Sequence, residues 1–277
     1  MGVNIMKIKN LINNIILGGS ILSLSIALFG CSKSTEIEST LNKDTLIVGM
    51  DDAFAPMGFK DENGEITGFD VDLAKALATK LNKEVKFQPI DWTMKETELN
   101  SGNIDLIWNG YTINDDRKKK VDFSVPYLKN QQVIVTLSNS DIKTKDDLKG
   151  KKVGAQNESS AISAMEKEEG LYSSFNGGSA ITFEDNNQAL MDLEAGRIDA
   201  VVADEILVRY YTSLKGEDKF NILDENFGEE EYGVGIRKGD TEMVEAFNKA
   251  YKELEDEGTL AEISEKWFGE DITIKEN

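Results

Sequence analysis

The chain has 277 residues, a formal net charge of −20, no histidine and a single cysteine. This composition argues against serine–histidine triads, catalytic cysteines, zinc sites and internal disulfides, because the residues that build them are missing. It also argues against nucleic acid as a partner, because a strongly acidic chain is repelled by phosphates.

The first 31 residues have the pattern of an export signal. Lys7 and Lys9 precede an uncharged run, LINNIILGGSILSLSIALFG, which ends at Cys31. A charged start followed by an apolar stretch is typical of a secretory signal. The alternative is a retained transmembrane anchor, against which the asparagines and glycines inside the run argue. The ending Leu28–Cys31 resembles a bacterial lipobox, which predicts that Cys31 becomes the lipidated first residue of the mature protein.

The next segment, SKSTEIESTLNKD over residues 32–44, is polar and has no core pattern. Such a composition predicts a flexible tether. The folded part is therefore expected over about 45–271, which is long enough for one large domain or for two lobes.

Short β-rich runs alternate with helical stretches over this folded part. The sequence predicts strands over 45–50, 85–90, 104–110, 131–137, 151–156, 198–204 and 232–237. It predicts helices near 70–82, 94–101, 159–169, 185–196, 204–214, 241–257 and 259–267. The pair Asn63-Gly64 predicts a hairpin just before the first of these helices. The alternation indicates an α/β fold with parallel sheets covered by helices.

The first helix begins within GFDVDLAKALATKL, residues 68–81. Asp70 and Asp72 lie in its first turn, where carboxylates complement the helix dipole and the unpaired N–H groups. The leucines and alanines that follow recur at helical spacing and predict one buried face. We therefore expect a scaffold helix and assign neither aspartate a ligand contact.

Ligands of open α/β sheets bind at the carboxyl ends of the strands. The residues that follow the predicted strands are Asp51, Asp52, Trp92, Gly110 to Arg117, Gln156 to Ser160, and Asp204. They offer acids, an arginine, aromatic rings and hydroxyls, but no nucleophile beside a base. This set favours binding over catalysis.

Six motifs in order resemble the family 3 extracellular solute-binding proteins, the polar amino acid receptors of ABC importers. They are VGMDDAFAPMGF, GFDVDLAKALATKL, IDLIWNGYTINDDRKKKVDFSVPYL, DLKGKKVGAQ, ALMDLEAGRIDAVVAD and EKWFG, and together they span nearly all of 45–271.

The resemblance implies a two-lobed, type II periplasmic-binding-protein-like fold, with the ligand cleft between lobes that close by hinge bending. Lobe 1 would comprise 45–131 and 227–271, and lobe 2 would comprise 132–226.

The resemblance also implies how the backbone of an amino acid would be held. Arg117 matches the residue that clamps the ligand carboxylate with two parallel hydrogen bonds. Asp204 matches the acid for the ammonium, and Gly110 and Thr112 would add backbone and hydroxyl contacts. Ser159 and Ser160 would bind at a helix N-terminus.

Each of these residues also has a purely structural interpretation. Arg117 adjoins three lysines and, without the resemblance, would be a solvated surface residue. Ser159, Ser160 and Asp204 are common helix caps. The sequence alone leaves both interpretations open.

The ligand side chain would lie between Phe54 and Trp92, although large aromatic residues are more often plain core. Asp51 would face its far end, which favours a side chain with a hydrogen-bond donor: glutamine, arginine or lysine. Gln156 and Asn109 complete the expected binding set. Trp108 and Asn109 replace smaller residues before Gly110, and Glu158 replaces a usual glycine. The sequence leaves open how these three residues change the pocket.

The sequence thus predicts a lipid-anchored protein on the outer face of the cell membrane that captures a polar L-amino acid and delivers it to an ABC permease. It would be a monomer that is not an enzyme and needs no metal or cofactor. Two alternatives on the same scaffold are a dehydratase acting on an arogenate-like substrate and an amino acid sensor module.

Overall fold

The computed structural model describes residues 38–275, apart from the side chain of residue 217. The predicted signal segment and Cys31 lie outside the described residues. The strands are β1 Thr45–Met50, β2 Ala53–Phe54, β3 Gly58–Lys60, β4 Ile66–Thr67, β5 Glu84–Pro89, β6 Leu106–Ile107, β7 Val121–Phe123, β8 Leu128–Leu137, β9 Val153–Gln156, β10 Ile181–Phe183, β11 Ala200–Asp204, β12 Phe220–Tyr232 and β13 Gly235–Arg237. The helices are α1 Phe69–Lys80, α2 Lys95–Asn100, α3 Asp115–Lys120, α4 Ser160–Glu166, α5 Glu169–Tyr172, α6 Asn186–Glu194, α7 Glu205–Lys215, α8 Thr241–Asp256 and α9 Thr259–Phe268.

Two five-stranded sheets organise these elements. The first, which we call sheet A, has the order β5-β1-β6-β13-β7, and the second, sheet B, has the order β10-β9-β11-β8-β12. We call the parts of the fold around them lobe 1 and lobe 2. A small antiparallel sheet of β2, β3 and β4 precedes α1, with Gly64 in its turn at φ +82°, as the Asn63-Gly64 pair predicts.

The sheets are mixed, which corrects the expectation of parallel sheets. β1 runs parallel to β5 and β6, and β9 runs parallel to β10 and β11. β13 is antiparallel to both of its neighbours, and β8 is antiparallel to β11 and β12. In each sheet one strand, β13 in sheet A and β8 in sheet B, therefore runs opposite to both of its neighbours.

The strands β8 and β12 pair antiparallel from Leu128, opposite Tyr232, to Leu137, opposite Phe220. The predicted lobe boundaries, at 131/132 and 226/227, both fall within this pair. Register shifts between Ile222 and Glu229 interrupt the ladder. This long irregular pair is the structure from which a hinge would be built.

Helix α1 illustrates how the sequence builds lobe 1. It begins after Gly68, whose φ is +140° and whose Cβ, if it had one, would lie 2.2 Å from the carbonyl oxygen of Met57. Only glycine fits such a close approach. The buried stripe of α1 includes Phe69, Leu73 and Leu77, which pack with α8 and α9 in the main core. Burial of each large apolar side chain contributes about 1.5–3 kcal/mol.

The first described residues differ from the predicted tether of 32–44. Thr40–Asn42 form a short 3-10 helix, and Ser39 and Thr40 are buried. Ser39 Oγ and the N–H of Thr40 both donate to the carboxylate of Asp240, at 2.8 Å each. Polar residues are held here by hydrogen bonds rather than by an apolar pattern, so the hydropathy of the segment gave no sign of it.

Other predicted elements differ in extent. The run 104–110 is a strand only over β6, and Trp108, Asn109 and Gly110 follow it outside the strand. The predicted helix 159–169 divides into α4 and α5. Strand β12 and helix α3 have no counterpart among the predicted elements.

Candidate functional site

One pocket brings together ten of the eleven predicted ligand residues. It lies between strand ends of sheet A and sheet B. The lining residues are Asp51, Phe54, Trp92, Asn109, Gly110, Arg117, Gln156, Ser159, Ser160 and Asp204. All except Asp51 and Gly110 are among the buried side chains, and Gly110 is a buried glycine.

Thr112, the eleventh residue, lies beside the pocket. Its Oγ1 is 3.0 Å from Ser160 Oγ and 2.9 Å from Glu230 Oε1. It therefore links lobe 1 to the pocket wall of lobe 2 through side chains.

Arg117 is a buried cation, which argues against the solvated interpretation. It is 6% exposed, whereas the three lysines that follow it are exposed. The Asn114 side chain caps α3 by accepting from the N–H of Arg117 at 2.9 Å. The guanidinium stacks on Tyr111, 4.4 Å from the ring centre, and its Nη1 donates to the carbonyl oxygen of Thr112 at 3.0 Å.

The ion pairs found within residues 38–275 do not include Arg117. Its side chain lines the pocket, and the hydrogen bond to Thr112 occupies only one of its five N–H groups within the described chain. Because a buried charge is costly without a partner, the arrangement suits an anion with two oxygens.

Asp204 lies at the opposite wall, at the end of β11, and is 4% exposed. It precedes α7 but makes no capping hydrogen bond, so its side chain does not act as a helix cap. Its Oδ1 accepts from Asn130 Nδ2 at 2.7 Å, Gln132 Nε2 at 3.0 Å and Tyr232 Oη at 2.7 Å. Burial first, and then the neighbouring Glu230 carboxylate, raise the pKa of Asp204 well above its ordinary value.

Four residues of this wall were missed by the sequence analysis: Asn130, Gln132, Glu230 and Tyr232. The first two alternate along β8, so they share one face of a strand whose other residues are largely apolar. That alternation was the available signal. Glu230 and Tyr232 belong to β12, whose existence was not predicted.

The serine turn connects β9 to α4. Ser159 is the residue before the helix, its side chain makes no capping bond, and its Oγ has no hydrogen-bond partner within residues 38–275. Glu158 has φ +54°. This is the left-handed region, which glycine, the usual residue here in the family that the sequence resembles, adopts without strain. The carbonyl oxygen of Glu158 accepts from Lys95 Nζ at 3.2 Å, so a lysine of lobe 1 contacts the backbone of lobe 2.

The far end of the pocket carries Asp51. Its Oδ1 accepts from the N–H of Ala53 at 2.9 Å, and its Oδ2 accepts from Gln156 Nε2 at 2.7 Å. Burial raises the pKa of Asp51 to about 6, although both hydrogen bonds lower it. Gln156 is itself fixed by Asn186, which donates to its Oε1 at 3.1 Å. The carboxylate and the amide therefore meet across the lobes.

Two aromatic rings and a glycine form the walls between these ends. Phe54 and Trp92 are 5% and 7% exposed and both line the pocket. Gly110 has φ +56°, and a Cβ there would lie 2.7 Å from Phe54 Cε1, so only glycine fits. Trp108 is absent from the lining set and packs against Phe247 at 5.2 Å between ring centres. It enlarges the core rather than reducing the pocket.

Asp70 and Asp72 do not line the pocket. Asp70 is fully buried, and its Oδ2 accepts from the N–H of Gly110 at 2.8 Å and from Tyr127 Oη at 3.0 Å. Burial raises the pKa of Asp70 to about 7, against the lowering effect of both donors. Asp72 Oδ2 accepts from Trp267 Nε1 at 2.8 Å. Both aspartates are structural.

Residues 38–275 contain no group of three or more acidic, cysteine or histidine side chains arranged to hold a metal ion. No helix in the same span is both long and apolar enough to cross a membrane.

The pocket therefore offers the buried cation of Arg117 at one wall, the buried carboxylate of Asp204 at the other, aromatic rings between them and Asp51 at the far end. Such a site suits a small zwitterion.

Comparison with known proteins agrees with this chemistry. The family model of the bacterial extracellular solute-binding proteins, family 3, matches residues 46–270. The L-cystine-binding protein TcyJ of Escherichia coli (strain K12) is 36% identical over 274 residues, which cover 97% of this chain and 100% of that protein. The arginine-binding extracellular protein ArtP of Bacillus subtilis (strain 168) is 35% identical, over 88% of this chain and 94% of its own.

A solved structure shares the fold. The crystal structure of an ABC uptake transporter substrate-binding protein from Streptococcus pneumoniae with bound histidine has a TM-score of 0.82 and 41% identity, and the match covers 85% of this chain and 96% of that one. The two-lobed type II periplasmic-binding-protein fold is thus confirmed. The named relatives are binding proteins, and this chain is a binding protein rather than an enzyme. The chain belongs to the bacterial extracellular solute-binding proteins of family 3, the amino-acid-binding proteins of ABC transporters.

Proposed function

We propose that this protein is a lipid-anchored receptor that captures a polar L-amino acid between its lobes and delivers it to an ABC permease. Lobe 1 comprises 45–131 and 227–271, and lobe 2 comprises 132–226, with the hinge in β8 and β12. The protein acts as a monomer, anchored through Cys31 on the outer face of the cell membrane.

The observation that carries this proposal is the buried guanidinium of Arg117. It stacks on Tyr111, lines the pocket and has no carboxylate partner within residues 38–275. The α-carboxylate of an amino acid supplies the missing anion in a bidentate geometry. Asp204 accepts the ammonium from the other lobe.

Asp51 selects the side chain of the ligand. A carboxylate at the far end of the pocket favours a donor there, because a buried acid without one costs several kcal/mol. Arginine, lysine and glutamine meet this requirement. Cystine meets it with its second ammonium group, in keeping with the name of the Escherichia coli relative.

Calorimetry with a panel of amino acids tests the proposal. The protein is first unfolded and refolded to remove any co-purified ligand, and the panel contains arginine, lysine, glutamine, cystine, histidine, leucine and glutamate. We expect the tightest binding from an amino acid whose side chain bears a donor. Tightest binding of leucine or glutamate contradicts the role of Asp51, and no binding of any amino acid contradicts the proposed function.

A further inference from the structure

A second carboxylate lies beside Asp204. Glu230 extends from β12, and its Oε1 is 2.7 Å from Asn130 Nδ2, 2.8 Å from Gln132 Nε2 and 2.9 Å from Thr112 Oγ1. Ser160 Oγ is 3.4 Å away. Glu230 thus contacts residues that come from both lobes.

The same two amide nitrogens serve both acids. Asn130 Nδ2 and Gln132 Nε2 each lie within 3.0 Å of Asp204 Oδ1 as well as of Glu230 Oε1. The two carboxylate oxygens are therefore close neighbours, with Asp204 buried and Glu230 half-buried. Two like charges so placed do not both ionise readily, and such a pair retains one proton between its members.

Two amide oxygens beside the pair and one hydroxyl at the pocket wall have no hydrogen-bond partner within the described chain. Asn130 and Gln132 are 6% and 0% exposed, yet Asn130 Oδ1 and Gln132 Oε1 have no hydrogen-bond partner within the described chain. Ser159 Oγ, at the wall of the pocket, is also without one there. Buried polar atoms are normally satisfied, so this concentration indicates a missing donor-rich group.

We propose that Glu230 is a second ligand-binding carboxylate, and that it and Asp204 together receive the ammonium of the bound amino acid, which replaces a proton shared by the two acids. This inference rests on the proposed function and deepens it. An ammonium has three N–H donors and a positive charge, so it can donate to both carboxylates and pair with their charge. A single shared proton only joins the two carboxylates to each other.

The exchange balances simply. The ammonium enters with its three N–H bonds intact and donates to both carboxylates, and the shared proton leaves to water. Each ligand that binds to a singly protonated pair therefore releases one proton.

Other charged groups near the pair do not account for the release of the proton. Tyr232 donates to Asp204, and burial holds its pKa well above the ordinary value, so it stays protonated. Arg117 lines the pocket from α3. The open groove on the other side of Glu230 is lined by Lys118, Lys129, Glu205, Glu229 and Glu231. Both lysines, Glu229 and Glu231 are exposed, and water and salt screen their charges.

Calorimetric titration in two buffers of different ionisation enthalpy measures the protons released. The probe is L-arginine at about pH 7.5, where Asp51 is already ionised; if another amino acid binds best in the panel, it replaces arginine. We expect the parent to release roughly 0.5–1 proton per ligand and Glu230→Gln to release roughly 0.2 or fewer. Glu230→Gln should also bind about tenfold or more weakly, because one acceptor charge is lost.

Glu229→Gln is the matched control, because Glu229 is exposed on the same strand. It should bind and release protons as the parent does. Circular dichroism shows whether each variant is folded. If Glu230→Gln does not fold, the inference is tested by the proton release of the parent alone, measured between about pH 6 and pH 9. The inference is wrong if the parent binds its amino acid without releasing protons, or if Glu230→Gln releases as many as the parent. A parent that binds no amino acid overturns the proposed function instead.

Discussion

The carboxylate of Asp70 accepts the backbone N–H of Gly110 at 2.8 Å, which joins the first turn of α1 to the loop that lines the pocket. The same oxygen accepts from Tyr127 Oη, next to the start of β8. A residue that does not line the pocket thus fixes both a wall of the pocket and the beginning of the predicted hinge.

Replacing Asp70 with alanine tests this positioning role. Two buried donors lose their acceptor, so we expect the free energy of unfolding to fall by about 1–3 kcal/mol. Affinity for the amino acid should also fall, because the turn at Gly110 is no longer held. Denaturant unfolding and calorimetry measure the two effects. Asp72→Ala, in the same helical turn, should lower stability and leave affinity unchanged; equal affinities for Asp70→Ala and the parent contradict the role.

Asp70 also predicts a dependence of stability on pH. Burial raises its pKa from the ordinary 3.8 to about 7 in the folded protein. Between these values the folded state holds a proton that the unfolded chain has lost, so the stability present at about pH 4 declines as the pH rises toward 7. Asp70→Asn cannot ionise and should show a shallower decline. Unfolding curves at a series of pH values measure this, and parallel pH profiles for the two proteins count against it.

Arg117 and Asp204 are expected to hold the two ends of the ligand backbone from opposite lobes. Removing one member of a buried charge pair typically costs about 2–5 kcal/mol. Arg117→Ala or Asp204→Ala should therefore weaken binding by roughly 30-fold to several thousand-fold, as calorimetry would measure. Each variant should also lose most of the ligand-induced compaction in small-angle scattering.

Lys119→Ala is the control for these two variants, because Lys119 is exposed and pairs only with Asp116 at the surface. It should change little. If Arg117→Ala and Asp204→Ala both fold and bind the amino acid within about threefold of the parent, these residues can no longer be assigned to ligand binding.

The left-handed backbone of Glu158 predicts a stabilising substitution. A residue with a side chain costs about 1–2 kcal/mol in this conformation, and glycine does not, although glycine makes the unfolded chain more flexible by about 0.4–1 kcal/mol. Glu158→Gly should therefore raise the free energy of unfolding by up to about 1 kcal/mol. Glu158→Ala keeps the Cβ and should give no such gain in the same denaturant titration. A glycine variant less stable than the alanine variant would refute the explanation.

The proposed lipid anchor is tested at Cys31. A diacylglycerol on the cysteine and an acyl chain on its amine would bury many methylenes, each contributing about 0.8 kcal/mol to membrane affinity. Cys31→Ser should accumulate as unprocessed precursor without incorporating radioactive fatty acid, whereas Ser32→Ala should be processed normally. A Cys31→Ser protein that is processed and labelled would mean that the anchor lies elsewhere.

The elements with a strong local pattern were predictable from the sequence. The strand 45–50 is β1, and the helices 241–257 and 259–267 are α8 and α9 to within a residue. The apolar residues of these segments recur at the spacing of a strand or a helix, and packing in the folded protein favours the same structure.

Strand β12 was not predictable in this way. Its sequence, FNILDENFGEEEY, is rich in acids, asparagine and glycine, which are poor strand formers. It is a strand because it pairs with β8 at the edge of sheet B, where its side chains reach solvent. Pairing between distant segments leaves no local signal, so Glu230 and Tyr232 went unrecognised with it.

The predicted ligand residues were identified by a resemblance and not by periodicity. Ten of them do meet in one pocket, but their amide partners on β8 were left out. Strand ends can be located from a sequence, whereas the neighbours that a folded sheet brings beside them cannot.

The bond between Ser39 and Asp240 has a mechanical consequence for a tethered receptor. Asp240 begins α8, which packs on α1 in lobe 1. Tension applied through the chain before Ser39 therefore enters lobe 1 first, at the start of α8. Under the proposed anchoring through Cys31, the pull of the tether would therefore act on lobe 1 and would not oppose rotation of lobe 2.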